Sequence, residues 1–195
     1  MTTPAAAAEL TAAWKARFGN CPPVGHLLRQ ALAPRWVRFH SLPGSRRYAD
    51  TEQDYALLLD RQHSLLSALA APEELLVVTA AWDESAEPVP READLDALLP
   101  ATYWRTVLDT ASAPEDAVHT HLYVSAVARE PAALDPLLRA VADYRTADVI
   151  LAPHSCEWLL HPYDGGTDVI ARSPAERDTL KERFGDWLSA HPRGL

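Results

Sequence analysis

The chain has 195 residues, 48% hydrophobic and 23% charged, a balance typical of a single globular domain, which we expect to span residues 1–195. Its formal net charge of −9 argues against nucleic-acid binding, and its two cysteines are too few for a disulfide framework or a thiolate zinc site. No apolar run is long enough to span a membrane and the first residues lack a secretory-signal pattern, so we expect a cytoplasmic protein without membrane attachment.

The first part of the chain predicts three helices and one strand. Apolar residues four apart indicate a helix over residues 4–18, and a short helical piece follows around Leu28. The segment "RWVRFHSL" alternates apolar and polar residues, as a half-buried strand does. The clearest helix carries apolar residues at helical spacing from Tyr55 to Leu69, with Asp50 or Thr51 as its N-cap.

The rest of the chain is rich in strands. "ELLVVTAAW", "TYWRTVLD" and "AVHTHLYVSAVA" predict strands, and the acidic segment 83–100 predicts an exposed loop with a short helix. A helix opens at Pro131, the strands "ADVILA", "CEWLLHP" and "TDVIA" follow, and Ser173 caps a last helix. We therefore expect an α+β fold: a mixed, mainly antiparallel sheet with helices packed on one face, and a C-terminal three-strand meander followed by a helix.

The segment "HPYDGGTDVIA" raises the question of a phosphate-binding loop. Such a loop needs glycines that open a helix, whereas Gly165 and Gly166 precede a strand pattern. Asp-Gly-Gly between two apolar strands predicts a hairpin turn, in which residues tolerant of positive φ are favoured. Asp164 and Asp168 stay possible metal ligands, but the spacing of a calcium loop is missing.

Charge is distributed unevenly along the chain. Residues 10–49 contain no Asp or Glu. The basic residues of this stretch are Lys15, Arg17, Arg29, Arg35, Arg38, Arg46 and Arg47. Either the two parts of the chain pack together and neutralise one another, or a basic patch receives an anionic ligand or an acidic partner.

The segment "RFHSLPGSRRYADT" is the candidate anion site. It leaves a predicted strand, passes a Pro-Gly turn and enters the N-terminus of the clearest helix, where the helix dipole is positive. Ser45, Arg46 and Arg47 stand just before that helix, and Arg38 and His40 share one face of the strand. Because arginine grips phosphate or carboxylate with two parallel hydrogen bonds, we expect these five residues to bind an anion. The alternative is that the arginines pair with carboxylates of later segments.

A second candidate site lies on the strand "AVHTHLYVSAVA". His119, His121 and Tyr123 share one face of it, with Tyr123 a further ligand-binding candidate and the two histidines candidate metal ligands. Two histidines on a solvated sheet face are the alternative. A third ligand would come from His40, His154, Glu157, His161 or Asp164. No Gly-x-Ser-x-Gly elbow supports nucleophilic catalysis, and no motif identifies a cofactor, which stays unknown.

Two stretches, "RFHSLPGSRRY" and "HPYDGGTDVIARSPAERDTLKERFGDWLSAHPRGL", resemble a group of uncharacterised bacterial proteins. The shared features are the "RFHSLP" segment and an ending with a "YDGG" turn and a "DWLS-HP-GL" tail. The resemblance implies a cytoplasmic bacterial α+β domain. It implies no activity and assigns no catalytic residue.

These observations lead to three hypotheses about function. The first is a non-enzymatic binding protein of the bacterial immunity or regulatory type, which recognises an acidic protein partner or a small anionic ligand through residues 38–47. The second is an enzyme acting on a phosphorylated small molecule through the face of His119, His121 and Tyr123, with or without a metal. The third is a structural subunit whose polar face forms a homo-oligomer contact.

Overall fold

The computed structural model describes residues 4–108 and 118–189, and contains six α-helices and seven strands in this part of the chain. The helices are α1 (Pro4–Phe18), α2 (Gly25–Ala31), α3 (Glu52–Ala68), α4 (Ala93–Leu98), α5 (Pro131–Ala142) and α6 (Pro174–Arg183). The strands are β1 (Trp36–His40), β2 (Glu74–Asp83), β3 (Thr102–Leu108), β4 (His119–Ala128), β5 (Ile150–Ala152), β6 (Leu159–Tyr163) and β7 (Gly166–Ile170). The predicted α+β class is confirmed.

The helix starts follow from local hydrogen bonding. Thr51 caps α3: its side chain accepts from the backbone N–H of Asp54, and the Asp54 carboxylate accepts from the backbone of Thr51. Ser173 caps α6 by accepting from the backbone N–H of Glu176, as the sequence predicts. These caps satisfy backbone donors that the first turn of a helix leaves without partners.

All seven strands lie in one open sheet with the order β1-β7-β6-β5-β2-β4-β3. Every pairing among the described strands is antiparallel, so this sheet has no parallel pair. The predicted meander is confirmed, because β5, β6 and β7 are neighbours in that order and α6 follows them. Strand β1 pairs with β7, from the far end of the chain, and so brings residues 36–40 beside the meander.

The β6–β7 hairpin is confirmed, but the reason that we gave for its glycines is wrong. The turn consists of Asp164 and Gly165, and neither has a positive φ. Gly166 is needed for space instead. A Cβ atom there would overlap the carbonyl oxygen of Phe39 and would lie 2.6 Å from the hydroxyl oxygen of Tyr163.

The sheet is covered on both faces, whereas we expected helices on one. Helices α3, α5 and α6 pack on the face that carries Leu75, Val77 and Leu160. Helices α1 and α2 pack on the opposite face, where Trp14 and Leu28 belong to a separate apolar cluster. Apolar residues on both sides of β2 explain its nearly continuous hydrophobic sequence. Of the described helices, none combines the length and the apolar character that crossing a membrane requires.

Candidate functional site

Strands β1, β7 and β6 bring polar side chains together on the face that α2 flanks. The register places Arg38, Asp168 and His161 in one row across the three strands. The next row holds His40, Gly166 and Tyr163, and alternation puts both rows on the same face. We call the five polar residues of these rows, together with the adjoining Arg47, Tyr48, Tyr144, Asp148 and Asp164, the polar corner.

Arg38 is held at the centre of the polar corner by an ion pair. Its Nε and Nη2 atoms donate to the two carboxylate oxygens of Asp168 at 2.7 and 2.9 Å. The guanidinium also lies 4.9 Å from the ring centroid of Tyr163 and 5.5 Å from that of Trp36. This two-bond geometry uses the edge with which arginine normally grips an anion. Asp168 therefore occupies the Arg38 edge that we predicted for an external ligand.

Tyr163 packs against Gly166, where a Cβ atom would lie 2.6 Å from the Tyr163 hydroxyl oxygen and 3.0 Å from its Cζ. Burial raises the pKa of Tyr163 to about 12, while the nearby charge of Arg38 opposes that shift. The phenol is therefore protonated at neutral pH. It can donate a hydrogen bond to an anion, but it cannot act as a base.

The two histidines of the polar corner are enclosed. The His161 ring packs against Gly25, where a Cβ atom would overlap it, and its Nε2 lies 3.4 Å from Oδ1 of Asp148 without forming a hydrogen bond. The Nε2 atom of His40 is buried without a hydrogen-bond partner. Desolvation lowers the pKa of His40, a backbone hydrogen bond with Gly165 opposes this, and the charge of Arg38 adds to the lowering. His40 is therefore predominantly neutral at pH 7.

The outer surface of the polar corner presents one arginine and two tyrosines. The Nε atom of Arg47 donates to Oδ2 of Asp164 at 2.8 Å, and the arginine side chain is 60% exposed whereas that of Asp164 is 5% exposed. Tyr48 and Tyr144 are 55% and 73% exposed. Within residues 4–108 and 118–189, the two terminal nitrogens of Arg47 make no hydrogen bond. They are therefore not engaged by residues 4–108 and 118–189.

Three residues in the loops at this end of the sheet have left-handed backbones. Ser45, Tyr144 and Asp148 have φ angles of 58°, 55° and 51°. Such angles are uncommon outside glycine, and for a large residue such as Tyr144 they are strained. The conformation of both loops is therefore imposed by the surrounding structure.

Arg46 does not join the polar corner. Its guanidinium pairs with Asp54 and lies 3.7 Å from Asp50, so it closes the first turn of α3. The N-terminus of α3 is thus occupied by the ion pair of Arg46 and Asp54. Ser45 belongs to the 3-10 turn that precedes this helix. Arg38, Arg46 and Arg47 all pair with aspartates from later in the chain, as the alternative of mutual neutralisation expects.

The second candidate site lies on the opposite face of the sheet and near the opposite edge, on β4. We call His119, His121 and Tyr123 the histidine face. The acidic loop, the segment 83–100 that follows β2, contacts His119 and Tyr123. The Tyr123 hydroxyl donates to the carbonyl oxygen of Val89 at 2.5 Å, and Nδ1 of His119 lies 3.1 Å from the carbonyl oxygen of Glu84. Tyr123 is therefore far from the polar corner and is engaged by the loop.

The two histidines stack on each other instead of converging on one point. Their ring centroids are 6.4 Å apart with an angle of 10° between the planes. His121 is fully buried, with Nδ1 2.7 Å from the hydroxyl of Thr106. In the described part of the chain, no group of three His, Cys, Asp or Glu side chains could hold a metal ion. The metal site stays a prediction, and its third ligand is not among the described residues.

Arg91 is the residue of the histidine face that sequence reasoning missed. Its Nη1 donates to Oγ1 of Thr79 at 2.7 Å, and its Nη2 donates to the carbonyl oxygen of Leu99 at 2.5 Å and to Asp96. The guanidinium also lies 5.5 Å from the Tyr123 ring. A single arginine within a long acidic segment was the available signal. Arg91 ties the acidic loop to the sheet.

Sequence reasoning also missed how the polar corner is assembled. His161, Asp164 and Asp168 were named only as possible metal ligands, and Tyr163 was not named. Strand alternation through "LLHPY" and "GTDVI" places His161, Tyr163 and Asp168 on one face. The pairing of β1 with β7, which adds Arg38 and His40, has no signal in the sequence.

The chain matches one family model over residues 24–192, that of the Domain of unknown function (DUF3885). This match includes every strand and begins just before α2. Neither the curated proteins nor the solved structures contain a match to the chain. Since the family model covers most of its length, the chain belongs to the DUF3885 family.

Proposed function

We propose that this protein is a non-enzymatic binding protein that recognises an acidic protein partner, or a smaller ligand with the same anionic group, through the outer surface of the polar corner. The observation that carries the proposal is the geometry of Arg47. A buried aspartate holds its Nε, and its terminal nitrogens make no hydrogen bond to the described residues. A carboxylate or phosphate fits such a pair of parallel donors.

The residues around Arg47 suit a protein interface. Arginine and tyrosine are enriched among the residues that carry most of the binding energy in interfaces. Tyr48 and Tyr144 are the two most exposed large hydrophobic residues of the described chain, and the Tyr48 ring centroid lies 5.4 Å from the Arg47 guanidinium. Because Asp164 orients Arg47 before binding, less conformational entropy is lost on complex formation.

The test is capture of partners on immobilised protein from cells that express it naturally. We expect Arg47→Glu to weaken capture at least about tenfold, because it replaces a donor pair with a like charge. Arg139→Glu is the matched control, since Arg139 also forms an exposed ion pair, with Glu52 on the α3–α5 surface. Equal capture by wild type and Arg47→Glu would contradict the proposal. Light scattering of the pure protein shows whether the partner is a second copy.

The alternative proposal is an enzyme that acts on a phosphorylated small molecule. It is favoured by the convergence of Arg38, His40 and His161 in the polar corner, whereas the predicted His121 is fully buried. A thermal-shift screen with phosphorylated metabolites tests it. Stabilisation that His161→Gln abolishes would support the enzyme, and stabilisation that only Arg47→Glu abolishes would support binding alone.

A further inference from the structure

A cluster of buried polar residues lies between α3 and the sheet, on the face of the sheet opposite that of Arg38 and His40. Its members are Ser41, Arg61, Gln62 and Thr167, and none is more than 7% exposed. Three of their polar atoms are buried without a hydrogen-bond partner. Oγ of Ser41 and Nε of Arg61 can donate to an anion, whereas Oε1 of Gln62 is itself an acceptor and does not support anion binding. Buried polar atoms normally have partners, so this concentration requires an explanation.

Arg61 brings a positive charge into this cluster without an ion pair to the described residues, although the charge of Asp60 is near enough to favour its protonated form. Its Nη1 donates to the carbonyl oxygen of His40 at 2.6 Å, and its guanidinium lies 5.0 Å from the centroid of Trp187. No carboxylate lies within ion-pair distance of it in residues 4–108 and 118–189, unlike Arg38, Arg47 and Arg91. Burial lowers the pKa of Arg61, but arginine stays protonated at neutral pH.

The strand register brings the unpartnered atoms into one neighbourhood. Thr167 lies opposite Phe39, and the backbone N–H of Ser41 donates to the carbonyl oxygen of Gly165, so the pairing of β1 and β7 continues to Ser41. Ser41 therefore faces α3, as Phe39 does, and is diagonal to Thr167. The amide nitrogen of Gln62 donates to the Thr167 hydroxyl, which places Gln62 next to both.

We propose that this cluster is an internal binding site for one small oxyanion, such as a carboxylate or phosphate. Because Nη1 is engaged by His40, the edge formed by Nε and Nη2 is available, and this is the edge that binds an oxyanion with two parallel bonds. The Ser41 hydroxyl supplies a third donor. Trp187 lies against the guanidinium, so the bound anion is kept from bulk water on that side.

The site is independent of the proposed partner surface. It lies on the other face of the sheet and uses none of Arg47, Tyr48 or Tyr144. Arg47→Glu is therefore expected to leave anion binding at Arg61 unchanged, and Ser41→Ala is expected to leave partner capture unchanged. The two proposals can consequently fail separately.

The first experiment is a crystal of the wild-type protein soaked in bromide, which replaces an oxyanion and scatters anomalously. We expect an anomalous peak within hydrogen-bond distance of the Arg61 Nε and the Ser41 Oγ. An ordered water at that position, or an unoccupied cluster, would overturn the proposal. So would bromide in the crystal without anion-dependent stabilisation in solution, because that result indicates an adventitious ion only.

The second experiment measures thermal unfolding with increasing inorganic phosphate or acetate for wild type, Ser41→Ala and the control Ser67→Ala, whose side chain is exposed on α3. At about five times the dissociation constant, wild type and the control should gain about 2–4 °C. Ser41→Ala should bind about tenfold more weakly, because a hydrogen bond to a charged group is lost. Identical curves for all three proteins would overturn the site. Arg61→Met, if it folds, should show no such gain, and a full gain would also overturn it.

Discussion

The polar corner and the histidine face both put histidine, tyrosine and arginine side chains on the surface of the same sheet, but they differ in what covers them. On the histidine face, the acidic loop supplies carbonyl oxygens to Arg91, His119 and Tyr123. In the polar corner, Arg38 pairs with Asp168, and Arg47 pairs with Asp164 through Nε while its side chain is 60% exposed. The same residue types thus fasten a loop in one region and present a surface in the other. Whether these side chains fasten a loop or face solvent therefore depends on the segments that pack on them, and not on their residue types.

The largest expected effect tests whether the histidine face is structural. We expect Arg91→Ala to lower the free energy of unfolding by about 2–4 kcal/mol, because the Thr79 hydroxyl and the Leu99 carbonyl become buried without partners. Urea unfolding measures it. Arg139→Ala, whose ion-pair partner Glu52 is 80% exposed, should cost far less. If the two variants are equally stable, the acidic loop is not fastened by Arg91 and the comparison fails.

A smaller effect tests the packing of the polar corner. Gly166→Ala should cost about 1–3 kcal/mol, because the added methyl group would overlap the Phe39 carbonyl and the Tyr163 ring. Gly185→Ala is the control, since a Cβ atom there meets nothing within 4 Å. Thermal unfolding of both variants gives the difference. Equal stability would mean that Tyr163 moves away at no cost and that its position is not fixed by Gly166.

The smallest effect is a pH dependence that comes from His40 in the polar corner. The pKa of His40 is lower in the folded protein than the ordinary value of about 6.5. As pH falls, His40 is therefore protonated in the unfolded chain before it is protonated in the folded protein. His40 consequently lowers the stability of the fold below about pH 6.5, and this loss is absent at higher pH. We expect wild type to lose more stability than His40→Gln between about pH 8 and about pH 5, measured by chemical unfolding. Parallel losses would show that His40 is not desolvated.

Local sequence patterns predicted the strands and helices, because caps such as Ser173 and strand alternation depend on neighbouring residues. They also selected Arg38 and His40 as site residues. They did not predict their partners, because Arg38 meets Asp168 across 130 positions of the chain. For the same reason Arg46 was grouped with Arg47, although Arg46 pairs locally with Asp54 and Arg47 pairs with the distant Asp164. Charge alone does not separate these two arginines.

The pairing of β1 with β7 also bears on when binding can begin during synthesis. Strand β1 is made before its partner β7, since Arg38 and Asp168 are 130 positions apart in the chain. Contacts of such long sequence separation form late in folding, since a large loop must close first. Arg38, His40 and Arg47 therefore have neither Asp168 nor Asp164 beside them while the chain is being translated. The proposed recognition at the polar corner consequently requires β7, and a product truncated before β7 would lack it.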